Sequence, residues 1–269
     1  MIVDAHVHLL PGRIGEKVRD FMESVIGALL VYPNDHGVVR ERLAAAGVDE
    51  LWSLPYAHKP GIAAGLNASM AEIAAQPGPV VVRNGCTAHP GDAAPADDVR
   101  RAVEDLGSRM LKLHCSVGDY GPDDPRLDPV WTYVSAVRLP VVVHAGHSVT
   151  GHTESGEVAP IGTVAERFPE ARIVIAHCGC HAIEAALDLV EAHPNVYADL
   201  TPVVTDAVAI PSGRLSAVAH KLLFGSDAPN VGITVEYGIA RVRAMPLPDD
   251  QIAAILGGTA ARLVAGVGS

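Results

Sequence analysis

The chain has 269 residues, 49% hydrophobic and 19% charged. That length and composition support a substantial apolar core without disulfides and are those of a globular chain, not a disordered one. Lys and Arg number 20 against 31 Asp and Glu, a formal net charge of −11 with no basic run, which argues against nucleic acid and anionic membranes as partners.

The four cysteines (Cys86, Cys115, Cys178, Cys180) form no disulfide-rich pattern. No apolar run approaches the roughly 18 residues of a membrane span. Met1-Ile2-Val3-Asp4 does not open a secretory leader, so the expectation is a cytoplasmic protein with reduced thiols.

Eight short runs rich in β-branched residues recur along the chain: Ile2 to His8, Glu50 to Tyr56, Val80 to Thr87, Met110 to Ser116, Pro140 to Gly146, Arg172 to Gly179, Val196 to Thr201 and Lys221 to Asp227. Several are almost continuously apolar, as parallel strands covered on both faces are. Helical patterns fill the gaps. Glu16 to Val31 and Asp35 to Ala46 follow the first strand. Ala96 to Gly107 starts after Pro95, carries acids in its first turn and stops at glycine. Pro160 to Phe168, His181 to His193, Thr205 to Ala219, Asp249 to Leu256 and Thr259 to Ala265 complete the set. Eight strands alternating with helices predict an α/β fold, a (β/α)8 TIM barrel, as one domain over residues 1–269.

In such a barrel, chemistry sits at the C-terminal ends of the strands. The first run ends Asp4-Ala5-His6-Val7-His8, where alternation puts His6 and His8 on one side. The fifth ends at His144, the sixth at His177 and the eighth at Asp227. Apolar strands that repeatedly end in His or Asp are hard to explain by packing, because buried polar groups need partners. One divalent metal satisfies several at once, and imidazole with carboxylate suits Zn²⁺, Fe²⁺, Mn²⁺ or Co²⁺.

This arrangement resembles the amidohydrolase superfamily, and more closely its amidohydrolase-2 branch, related to aminocarboxymuconate-semialdehyde decarboxylase. Lys112-Leu113-His114, Pro122-Asp123-Asp124-Pro125 and the run Ile255 to Arg262 (ILGGTAAR) are similar to stretches frequent in that branch, and the resemblance spans residue 2 to about 263. It implies His6, His8, His144 and Asp227 as metal ligands. Asp227 would also shuttle a proton, and His177 would hydrogen-bond the attacking water or substrate oxygen and steady an oxyanion. It implies one Zn²⁺ per chain, or two if Lys112 is carboxylated as a bridge with His177 as a ligand. The competing reading pairs Lys112 with a carboxylate such as Asp227 or Asp4.

Other polar residues are candidates for substrate contacts or a second metal: His114 within a strand end, and His58 and His147 in the loops that follow strands. Arg83 can take a substrate carboxylate or pair with an internal acid. Trp52 and Tyr56 share parity and either line the mouth or pack. Asp4 can orient a ligand imidazole.

Hydrolysis of a small amide, lactone or ester is the first functional expectation. Non-oxidative decarboxylation of a small carboxylic acid is the alternative, placed second because such decarboxylases are typically longer chains and need a cation for the carboxylate. Phosphoester cleavage and a metal-keeping barrel without turnover come behind. A small-molecule substrate and a homodimer, common among related barrels, complete the expectation.

Overall fold

The structure is a computed structural model that describes residues 1–26, 30–146, 154–201 and 210–267. Eight strands form one parallel sheet in sequential order: β1 (Val3–Val7), β2 (Glu50–Ser53), β3 (Val81–Thr87), β4 (Met110–Leu113), β5 (Pro140–Val143), β6 (Arg172–Ile175), β7 (Val196–Asp199) and β8 (Leu222–Leu223). The two edges meet. Ala5 N–H donates to Phe224 O at 2.9 Å, Asp227 N–H to His6 O at 2.8 Å, and His8 N–H to Ala228 O at 2.8 Å. The result is a (β/α)8 TIM barrel.

The helices are α1 (Gly12–Ile26), α2 (His36–Ala45), α3 (Ala63–Ala75), α4 (Pro95–Glu104), α5 (Cys115–Gly118), α6 (Asp128–Ala136), α7 (Glu154–Arg167), α8 (Ile183–Ala192), α9 (Ser212–Val218), α10 (Val235–Arg243), α11 (Asp249–Ala253) and α12 (Thr259–Val264). Local chemistry starts several of them. Asp35 caps α2 by accepting from Val38 N–H, and Pro95 opens α4 ahead of Asp97 and Asp98. The Pro122–Pro125 stretch is a structural turn: Trp131 Nε1–H donates to Pro122 O at 2.8 Å and Asp124 accepts from Arg126 N–H, seating α6. Neither α3 nor α6 was picked out from the sequence, and the segment Thr205 to Ala219 lies partly outside the described residues.

Two apolar layers result. The layer between strands and helices includes Leu51, Leu111, Leu113, Val141, Val143, Ile173, Ile175 and Ala198. The barrel interior holds Val3, Ala5, Trp52, Leu54, Met110, Val142, Val174, Ala176 and Leu223, joined from below by Ala260 and Leu263 of α12. Each Val, Leu, Ile or Met among them contributes about 1.5–3 kcal/mol by burial. A single π-helical turn, Ala254–Gly258, leads into α12. A Cβ on Gly257 would lie 2.7 Å from Met1 O and 3.0 Å from Val3 N, so only glycine lets this turn lie against the start of β1.

The strands end earlier than their apolar patterns do. His177 and Cys178 leave β6 in a 3₁₀ turn with φ of 57° and 46°, and Asp227 has φ of 64°, four residues past β8. A left-handed residue cannot continue a strand. His144, His177 and Asp227 therefore project from the turns that leave β5, β6 and β8, not from the strands themselves.

Candidate metal centre

The first strand shows how the sequence builds the site. Its register against β2 shifts between Asp4 and Val7. Val3 and Ala5 pack inside the barrel, yet Val7 packs outside it. The shift moves the inward face by one residue and turns His6 and His8 into the mouth. Asp4, fully buried, holds the irregular backbone: its Oδ1 accepts from Ser226 N–H at 2.9 Å and from His6 N–H at 3.3 Å. Asp4 thus anchors the backbone of a candidate ligand and not its ring.

Hydrogen bonds at the rear of the rings decide which nitrogens face the centre. His8 Nδ1 lies 2.7 Å from Leu54 O, and His177 Nδ1 lies 3.0 Å from Thr201 O. A carbonyl only accepts, so both Nδ1 atoms carry hydrogen and each neutral ring presents its Nε2 lone pair. His6 Nδ1 lies 2.9 Å from Asp199 Oδ2, which fixes the same tautomer. Asp199 Oδ1 accepts the backbone N–H groups of His177 (2.9 Å) and Thr201 (3.2 Å), so one carboxylate sets two histidines. Asp199 was not singled out in the sequence. Its signal was a lone acid in the apolar run Val-Tyr-Ala-Asp-Leu, at an inward position.

Donor atoms of His6, His8 and Asp227 lie within 4.8 Å of one another. His8 Nε2 is 3.1 Å from Asp227 Oδ1 and His6 Nε2 is 3.9 Å from it. With Nδ1–H of His8 committed to Leu54, Nε2 and the carboxylate face each other across 3.1 Å as two acceptors, an arrangement that a bound cation relieves. His144 Nε2 is buried without a hydrogen-bond partner among the described residues. Such an orphan costs about 1–3 kcal/mol unless something binds it. The residues therefore fit a divalent cation: imidazole nitrogens with set tautomers, an orphaned imidazole nitrogen and a carboxylate.

Six rings make a closed circuit of contacts around this centre. His6–His8, His8–Tyr56, Tyr56–His114, His114–His144, His144–His177 and His177–His6 have centroid separations of 5.0, 5.5, 4.8, 3.8, 4.9 and 4.9 Å. His114 and His144 stack nearly parallel, at 15°. Tyr56 and His114 are the more exposed members and form the outward part of the circuit. Trp52 packs inside the barrel, fully buried, so the two aromatic residues of the second run have different tasks.

Burial alone raises the Asp199 and Asp227 carboxyls. The charge and hydrogen bond of His6 at Asp199, and the hydrogen bond of His8 with the charges of His6, His8 and His177 at Asp227, outweigh it and hold both below the usual carboxylate range. Burial lowers His6 to about 3, and Lys112 opposes its protonation further. Burial also lowers His114, His144 and His177, which keeps these rings neutral lone-pair donors. Lys112 is fully buried and lowered to about 8 by burial, against the pull of Asp199 and Asp227. Its Nζ lies 3.4 Å from His6 Nε2. The one partner its side chain shows among the described residues is thus an imidazole, not the carboxylate expected.

Other sequence candidates fall elsewhere. Arg83 sits near the start of β3, its Nε 2.9 Å from Glu50 Oε2, so it pairs with an acid at the opposite end of the barrel from the mouth. His58 is exposed in the loop after β2. His147 lies outside the described residues. Cys178 and Cys180 are buried thiols.

Fold and site define a (β/α)8 barrel with a histidine–carboxylate donor set at its mouth. The chain belongs to the amidohydrolase family (Amidohydro_2), whose model matches residues 3–265. No curated protein matches it. Among solved structures it is similar to an uncharacterised TIM-barrel protein from Bordetella bronchiseptica (21% identity, TM-score 0.79, covering 100% of this chain and 99% of the other). It is also similar to the 5-carboxyvanillate decarboxylase LigW from Sphingomonas paucimobilis (18%, 0.68, 98% and 98%). A dihydroxybenzoic acid decarboxylase from Polaromonas sp. JS666, solved with bound manganese and the inhibitor 2-nitroresorcinol, is similar too (16%, 0.72, 98% and 96%). At these identities the likeness shows the fold. No helix among the described residues is long and apolar enough to cross a membrane.

Proposed function

We propose that this chain is a metal-dependent decarboxylase of a small carboxylic acid. The observation that carries the metal is the convergence of His6, His8 and Asp227 with Nε2 lone pairs set from behind, beside the orphaned Nε2 of His144. Decarboxylation is favoured over the hydrolysis ranked first from the sequence. The likeness to two decarboxylases runs over 96–98% of their chains, so the argument from chain length falls away. Zn²⁺ and Mn²⁺ both suit the donor set, and the manganese of the Polaromonas enzyme supports the second.

A divalent ion held by His6, His8, His144 and Asp227 supplies Lewis acidity toward substrate oxygens. The rest falls to the chain. Loss of carbon dioxide breaks a C–C bond and leaves its electron pair on carbon, which must then receive a proton. Asp227 is ionised, its side chain is 16% exposed, and it borders the mouth, so it can take a proton from substrate or water and return it to that carbon. Neutral His177, with Nδ1–H committed to Thr201 O, accepts at Nε2. In this tautomer it orients a substrate or water hydroxyl instead of donating to an oxyanion. With Arg83 removed to the far end of the barrel, carboxylate recognition falls to the cations at the centre.

The test is product analysis. Protein loaded with Zn²⁺ or Mn²⁺ is offered hydroxylated and unsaturated carboxylic acids, and separately lactones, esters and amides. Carbon dioxide release that chelation abolishes supports the proposal. Metal-dependent hydrolysis without carbon dioxide release overturns it in favour of the hydrolase.

A further inference from the structure

Among the described residues Lys112 is the one buried lysine, and its side chain ranks with the largest fully buried ones in the protein. The other buried cation, Arg40, is spent on the carbonyls of Gln76 and Val80. The backbone of Lys112 is clamped in β4 between β3 and β5, and its carbonyl accepts from Thr87 Oγ1 at 2.9 Å. Its ammonium therefore reaches the barrel centre from a fixed base. There it meets His6 Nε2 at 3.4 Å.

Since His6 Nδ1–H is committed to Asp199, Nε2 has one lone pair, and Lys112 takes it. That is the lone pair a metal ion needs. Two carboxylates, the buried Asp199 and the partly exposed Asp227, lie in the same centre and act on Lys112 by their charge. Buried charges left without a counter-ion are strongly destabilising. Without a metal, Lys112 is the fixed positive charge available to them.

We propose that Lys112 is a resident counter-cation: it occupies the donor lone pair of His6 and balances Asp199 and Asp227 until a divalent ion displaces it. The inference rests on the metal-centre reading above. The site keeps its shape empty, and each binding event exchanges an ammonium–imidazole hydrogen bond for a metal–imidazole bond. Metal affinity is therefore lower than the donor set alone would give. This assigns Lys112 a role opposite to that of a bridging ligand, since it competes with the ion.

The test compares wild-type protein with Lys112→Met, both stripped of metal, by competition for Zn²⁺ and Mn²⁺ against a chromophoric chelator and by thermal unfolding with and without the ion. Removing a positive charge a few ångströms from the ion should tighten binding by about tenfold or more. It should also widen the gap in melting temperature between stripped and loaded protein. A lysine that merely fills space, or a carboxylated bridge, predicts equal or weaker binding in the variant, and either result overturns the proposal.

A second measurement needs no variant. Structures of wild-type protein stripped and loaded should show Nζ on His6 Nε2 in the first and withdrawn in the second. Unchanged contact, or a carbon dioxide adduct on Lys112 with two ions per chain, also overturns it. Wild-type protein that binds no divalent ion overturns the metal-centre reading itself. Wild-type binding without tightening in the variant overturns only the role of Lys112.

Discussion

Asp199→Asn isolates the tautomer argument. Asp199 makes three contacts: Oδ2 with His6 Nδ1 at 2.9 Å, and Oδ1 with the N–H groups of His177 and Thr201 at 2.9 and 3.2 Å. In asparagine one oxygen becomes a donor. Setting that donor against two backbone N–H groups would leave both unsatisfied, at about 1–3 kcal/mol each. The amide therefore keeps its oxygen there and turns its NH₂ toward His6. Nδ1 of His6 must then accept, its proton moves to Nε2, and an N–H points where the ion binds.

A centre that also loses one negative charge is weakened in the same direction. Loss of such an outer contact costs 10–100-fold in metal affinity, about 1.4–2.8 kcal/mol. Every backbone partner is kept, but in the stripped protein the new Nε2–H meets the Lys112 ammonium 3.4 Å away, so the variant should fold with about 1–3 kcal/mol less stability than wild type. Chelator competition gives the affinity and denaturant unfolding gives the stability. A folded variant whose metal affinity stays within about twofold of wild type refutes the reasoning, because His6 would then not depend on Asp199 for its donor nitrogen.

Asp227→Asn should lower turnover by about 10²–10⁴-fold, the usual contribution of a positioned acid–base group, with near-normal far-UV circular dichroism; near-normal carbon dioxide release would remove Asp227 from proton transfer. Gly257→Ala should cost about 1–3 kcal/mol, because its new methyl meets Met1 O at 2.7 Å, and should lower the melting temperature by several degrees; an unchanged melting curve would show that the turn against β1 yields freely. All four thiols are buried, and burial raises Cys86 from 9.0 to about 12, so a thiol reagent at mildly alkaline pH should modify none in the native protein and all four after unfolding. For Cys86 the fold favours the protonated form, so its contribution to stability is full below the ordinary thiol pKa and declines as pH rises from about 9 toward 12. Thermal unfolding that stays flat across that alkaline window would contradict the assignment.

The hydrophobic pattern located all eight strands because most are covered on both faces and read as largely apolar runs. His6, His8, Lys112, His144, His177 and Asp227 were legible for the complementary reason: polar residues at the ends of such runs stand out. What the pattern lacked was backbone geometry. Alternation alone does not reveal that β1 shifts register between Asp4 and Val7, and no hydropathy rule shows left-handed φ values at His177 and Asp227. Asp199 escaped because its partners, His6 and the amide of His177, lie 193 and 22 residues away and meet it only when β1, β6 and β7 converge. For Arg83 the sequence left a substrate carboxylate and an internal acid both open, for a related reason. Its strand was right, but its height along the strand, next to Glu50 and far from the mouth, decides what it meets.

The interior of the barrel is finished from below by Ala260 and Leu263, which pack against Val3, Ala5 and Leu223. The side chains that close the cavity thus come from the last stretch of the described chain, while the first strand waits for them. During synthesis on a ribosome, β1 through β8 emerge before α12 does, so the inner apolar faces stay open until α12 has left the exit tunnel. Chaperone contact and early aggregation should therefore concentrate on nascent chains that stop just short of residue 260.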